Sequence, residues 1–152
     1  MISRNRFLRT SAAAVLVLGS LAGCGQLRPS SKMDIYQATL SPAQEVPPVT
    51  SPASGTAELM LNSNTNTLSW KVNYSGLTGA ATAAHFHGPA PMGANAPVVV
   101  PFTGDLNAQP MTGSAVLSPQ QAAELATGRW YVNIHTAQFP GGEIRGQLMP
   151  RR

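Results

Sequence analysis

The chain has 152 residues, with ten lysines and arginines against six acids and a single cysteine. That length holds one domain, and one cysteine excludes an internal disulfide framework. The net charge of +4 is not the mark of a nucleic-acid binder, because the surplus sits at one end: Met1 to Arg9 carry Arg4, Arg6 and Arg9 and no acid.

Those three arginines precede an apolar run from Ala12 to Ala22, broken only by Gly19 and Ser20 and too short to remain in a bilayer as a helix. Residues 1–23 are therefore expected to be an export signal. The run ends in Leu21-Ala22-Gly23-Cys24, which resembles the bacterial lipobox. The resemblance implies that the Cys24 thiol is diacylglycerylated and the leader cut just before it, tethering the mature protein to a membrane. Acyl chains contribute about 0.8 kcal/mol per buried methylene, so two or three together hold stably. Arg4, Arg6 and Arg9 leave with the leader while all six acids stay, so the net charge of +4 drops to +1. No basic stripe survives, and no nucleic-acid partner is expected. Gly25 stands where an aspartate usually accompanies inner-membrane retention, so the expected address in a cell with two membranes is the outer one.

Residues 24–32, polar with Pro29 and two serines, read as a flexible tether, and residues 33–149 as one all-β domain. Asp34 to Leu40 alternates, with Tyr36, Ala38 and Leu40 turned inward. Ser41 to Ser54 carries four prolines and reads as a loop. Gly55 to Asn62 and Thr67 to Tyr74 form a predicted hairpin around Ser63-Asn64-Thr65-Asn66, with Trp70 as a core anchor. Ala81 to His87 is a strand, followed by a proline-constrained loop from Gly88 to Pro97 that carries Met92. Val98 to Val100 with Phe102 is expected to be a buried strand, and Met111 to Leu117 another. The one helix, about two turns long, starts at Ser118-Pro119, has Gln121 at the capping-box position and stops at Gly128. Trp130 to Thr136 and Glu143 to Leu148 close the domain as a hairpin around Pro140-Gly141-Gly142, with Glu143, Arg145 and Gln147 expected to face outward.

Every histidine lies in two of these strands. Alternate residues of a strand share a face, so His85 and His87 point one way and Phe86 the other. Tyr131, Asn133 and His135 likewise oppose Val132 and Ile134. If the apolar sets share one core, all three imidazoles emerge on its far side. Three nitrogens from His85, His87 and His135 can hold one metal ion with a coordination position open, copper first and zinc as its rival. Asn133, or Glu143 across the turn, could orient His135 through its second ring nitrogen, and Met92 could add a thioether that favours Cu(I). The same three residues could instead form a metal-free polar cluster with Asn133, Thr136, Glu143 and Arg145 as partners. Glu143 and Arg145 read as a surface ion pair.

Gln44-Glu45-Val46-Pro47-Pro48-Val49, Ala84-His85-Phe86-His87-Gly88-Pro89-Ala90, Gly93 with Pro97-Val98-Val99, and Tyr131 to Thr136 continuing through Phe139 to Gln147 together resemble the chordin-type (CHRD) domain. The resemblance runs from about Met33 to Met149. It implies an all-β, antiparallel, immunoglobulin-like or superoxide-dismutase-like sandwich. It also implies an exported module of the kind repeated in chordin, an extracellular antagonist of bone morphogenetic proteins. A protein- or ligand-binding role would use the loops Pro42 to Pro52 and around Met92. No enzymatic activity is expected: three imidazoles are too few for a dismutase's two metals, and there is no nucleophile motif or phosphate loop.

Overall fold

The structure, a computed structural model, describes residues 32–151, so the leader, Cys24 and all of the tether but Lys32 lie outside the described residues. Nine strands, β1 (Met33–Leu40), β2 (Ser54–Asn62), β3 (Thr67–Ser75), β4 (Ala81–His87), β5 (Val98–Pro101), β6 (Met111–Val116), β7 (Tyr131–Thr136), β8 (Ile144–Gln147) and β9 (Met149–Pro150), build two antiparallel sheets. One sheet runs β6-β3-β2-β1-β9 and the other β5-β4-β7-β8. Among the described residues no helix is long and apolar enough to cross a membrane.

The alternation read from the sequence explains the packing. Tyr36, Ala38 and Leu40 from β1, Ala57, Leu59 and Leu61 from β2, and Leu68, Trp70 and Val72 from β3 are all buried. They meet Ala84, Phe86, Val132, Ile134 and Ile144 from the second sheet, the arrangement of a two-layer sandwich. Aromatic rings bridge the layers: Trp70 meets Phe86 edge-on at 5.1 Å and stacks on Phe102 at 4.9 Å. The predicted hairpin pairs β2 with β3 from Ser54↔Ser75 to Asn62↔Thr67. Asn66 takes the positive φ of 53° that its turn requires. The helix α1 (Pro119–Ala126) carries the full capping box between Ser118 and Gln121. Gly128 ends the helical segment at φ 70°.

Three expectations change. The strand at Val98 lies at the edge of its sheet, with Val98 47% exposed, Val99 and Val100 half-buried against the core, and full burial reached only at Phe102 beyond it. A short final strand, β9, pairs Gln37 with Met149; two residues carry no readable period. The outer face of β7 and β8 is not open to water either, since Arg145, Glu143 and Gln147 are all buried.

What covers Arg145 and Gln147 is the Gly88-to-Pro97 loop. Gln147 donates to Ala90 O at 3.1 Å, and Arg145 donates to Ala94 O at 2.7 Å and to Asn95 Oδ1 at 2.9 Å. The histidine strands are thus sealed by the apolar core on one side and partly roofed by this loop on the other.

Candidate metal centre

Strand β7 pairs antiparallel with β4, placing His85 opposite Asn133, His87 opposite Tyr131 and Ala83 opposite His135. A period of two then brings all three imidazoles to one side while Phe86, Val132 and Ile134 enter the core. One ring nitrogen from each of His85, His87 and His135 lies within 4.8 Å of the others. The rings contact edge-on, His85 with His87 at 5.4 Å and with His135 at 5.0 Å between centroids. His87 and His135 are buried and His85 is half-buried, so the cluster opens on the His85 side.

Backbone carbonyls set the tautomers. His135 Nδ1 lies 2.9 Å from Pro140 O, and His87 Nδ1 lies 2.9 Å from Ala96 O. A carbonyl can only accept, so each Nδ1 carries the proton and each Nε2 presents a bare lone pair. Both lone pairs aim at one place: His87 Nε2 and His135 Nε2 each sit 3.0 Å from Asn133 Oδ1, and His85 Nδ1 is 3.1 Å from His135 Nε2.

The electrostatics favour the neutral form of His85 and of His135. Burial pushes His85 down from the ordinary imidazole value, and the neighbouring His135 and His87 push the same way. Burial does the same to His135, partly offset by its bond to Pro140 O and reinforced by His87. Metal ligation needs the unprotonated form. The sign for stability follows, because a ring harder to protonate folded than unfolded stabilises the domain above its unfolded pKa and loses that contribution as the pH falls. The metal-free domain is therefore expected to weaken below about pH 6.5. Denaturant titrations from pH 7.5 to 5 check this, since the His85→Ala/His135→Ala double variant should give a flatter profile.

Other predicted residues stand elsewhere. Asn133 is at the centre of the cluster. Glu143 is not beside the imidazoles: both carboxylate oxygens are taken by Ser51 Oγ at 2.6 Å, Thr136 Oγ1 at 2.7 Å, and Thr78 N and Oγ1, each at 2.9 Å. The role expected for it or for Asn133, orienting His135 through its second ring nitrogen, belongs to Pro140 O at Nδ1, while Asn133 stands at Nε2. Nor do Glu143 and Arg145 form a surface pair, because both are buried and their hydrogen bonds go to different loops. Met92 is 68% exposed and lines a groove of about 610 Å³ with Gln37, Gln44, Gln147 and Met149, a lining that includes none of the histidines.

Sequence reasoning missed Tyr131 as part of the surroundings, and offered Arg145 as a partner of the imidazoles where its hydrogen bonds go to Ala94 and Asn95 instead. The Tyr131 ring stacks flat on His87, 4.7 Å between centroids and 1° between planes, and the Arg145 guanidinium carbon lies 3.4 Å from the Tyr131 centroid. Tyr131 OH accepts from Ala96 N at 3.1 Å, holding the residue whose carbonyl fixes His87. Shared parity with His135 was the available signal for Tyr131. The Ala96 and Pro140 carbonyls had none, since any residue supplies one.

No curated protein and no solved structure matches the chain. The model of the CHRD domain matches residues 36–148, which spans both sheets and all three histidines, and by that match the chain belongs to the CHRD-domain family.

Proposed function

We propose that this CHRD domain binds one transition-metal ion through His85, His87 and His135, with copper favoured and zinc as the rival. The observation that carries the reading is the convergence of lone pairs. Two imidazoles locked by carbonyls at Nδ1 turn bare Nε2 atoms toward an amide oxygen that is itself an acceptor. Acceptors gathered 3.0 Å apart repel unless a cation or a donor lies among them. Backbone carbonyls on the far ring nitrogens are the usual partners of metal-bound histidine. Three neutral nitrogens suit copper and zinc, and the general affinity order places Cu(II) above Zn(II). Without Met92 nearby, the case for copper rests on these nitrogens alone.

The proposal includes the setting. Cys24 carries the lipid, the domain stands outside the cytoplasm on a membrane, and it acts as a binding module rather than an enzyme. The one carboxylate expected near the imidazoles, Glu143, is fully engaged by hydroxyl and amide donors.

The second reading is a metal-free module for a protein or small ligand, in which the histidines only brace the fold. It has one observation in its favour. Exchanging the oxygen and nitrogen of the Asn133 amide would let Nδ2 donate to both Nε2 atoms and satisfy the cluster.

Titration of the chelator-stripped mature domain lacking Cys24 with Cu(I), Cu(II) and Zn(II) decides between them. Metal binding predicts about one ion per chain and a loss of at least about 100-fold in affinity for His87→Ala or His135→Ala, on the scale of losing a ligand rather than its support. Equal weak uptake by wild type and variants would remove the metal and leave the brace.

A further inference from the structure

We propose that Arg145, stacked on the Tyr131 ring that itself stacks on His87, biases the three-histidine site toward a soft monovalent ion, Cu(I), and against Zn(II) and Cu(II). The inference rests on the metal-binding reading and names which ion that site prefers.

Arg145 brings a buried charge to the edge of the site. Arg145 is 1% exposed, and its hydrogen bonds go to neutral groups, Ala94 O and Asn95 Oδ1. The ion pairs among the described residues are Lys32–Asp34 and Arg151–Glu58, so no carboxylate within 4.0 Å neutralises it. Arginine does not give up its proton inside proteins, and a guanidinium on an aromatic face is held there by the ring's quadrupole.

The stack fixes where that charge sits. With Arg145 3.4 Å above the Tyr131 centroid and His87 4.7 Å from it in a parallel plane, the two can only occupy opposite faces of the ring. The guanidinium is then roughly 8–10 Å from an ion on His87 Nε2. At that separation and an effective dielectric near 20, each unit of positive charge on the ion lowers its affinity on the order of tenfold. A divalent ion suffers that penalty twice and a monovalent ion once.

Nearby acids offset the effect only in part. Glu45 is the carboxyl nearest in electrostatic influence, but burial pushes it up to about 7 against the pull of Arg145 and the Val46 amide, leaving it only partly ionised at neutral pH. Its Oε1 is buried without a hydrogen-bond partner. Glu143 keeps its negative charge, since its four neutral donors stabilise the ion without removing it, but that charge is common to wild type and both Arg145 variants and drops out of their comparison. All three ligands are neutral, so nothing in the first coordination layer offsets a second positive charge. Imidazole nitrogens accept copper and zinc alike, so the donor set leaves charge to set the preference.

The test compares competition titrations of Cu(I) and Ag(I), without oxygen, against Zn(II) and Cu(II) for wild type, Arg145→Met and Arg145→Lys. Arg145→Met should move the balance about tenfold toward the divalent ions. Arg145→Lys, which breaks the same hydrogen bonds but keeps a cation, should hold the wild-type balance. Equal balances in wild type and folded Arg145→Met would overturn the proposal, as would a shift equally large in Arg145→Lys. If neither variant folds, the wild-type potential decides: bound copper should be more oxidising than copper held by three free imidazoles, and an equal or lower potential overturns it. No uptake of any ion would instead defeat the metal-binding reading itself.

Discussion

Glu143→Ala is expected to destabilise the domain by about 3–5 kcal/mol, because several hydrogen bonds to a buried charged group are lost at once. The side chain is fully buried where the β7–β8 turn meets the loops holding Ser51 and Thr78. Truncation leaves three hydroxyls and one amide without their acceptor, each such loss costing about 1–3 kcal/mol before relaxation. Against a total stability of roughly 5–15 kcal/mol, that lowers the melting temperature by roughly 10 °C or more.

The pH dependence has a definite sign. Burial would raise the Glu143 carboxyl, but hydrogen bonds from Ser51, Thr136 and Thr78 outweigh it and hold the group below its ordinary value of 4.5. Ionised Glu143 thus contributes stability above that pH and loses it as acid protonates the folded form. Denaturant melts of wild type and Glu143→Gln should differ most at pH 7 and converge toward pH 3. A gap that stays constant would show that charge is not the cause.

Trp130→Ala is the second large effect, about 3–5 kcal/mol from lost burial and the cavity left behind. Trp130 is 0% exposed and lies 6.3 Å from the Phe86 ring between centroids. Its indole also presses on the backbone at Gly88, where a Cβ would overlap Cδ1, Nε1 and Cγ. Gly88→Ala should therefore cost about 1–3 kcal/mol by overpacking and displace the adjoining His87. On the Trp130→Ala background the same substitution should be nearly neutral, because the space it needs is then empty. Thermal melts of the four proteins test this as a cycle; additive losses would mean that indole and glycine do not share the site as described.

The sequence made one half of this architecture legible and hid the other. Strand parity was written in residue types: Phe86 between His85 and His87, and Val132 and Ile134 between Tyr131, Asn133 and His135, so the shared face followed from period alone. The hairpin turn and capped helix were equally open, because Asn66, Ser118 and Gln121 act over three or four residues. What covers the histidine face was not. Arg145 and Gln147 obey the outward parity expected of polar residues, yet they are buried by backbone carbonyls from a loop some fifty residues away. Polarity marks a residue that needs partners and does not say whether water or protein supplies them. Glu143 failed for a related reason. It precedes β8, beside Gly142 at φ 128°, where the chain is turning and strand parity no longer governs which way a side chain leaves.

The imidazoles hang from the reverse of the two strands whose obverse builds the hydrophobic interior. Positions 85, 87, 133 and 135 can consequently be rewritten as a group while Phe86, Val132 and Ile134 go on closing the sandwich. A chain of this design can be emptied of its chemistry, or refitted with another, at the expense of a few polar contacts and without renegotiating how it folds.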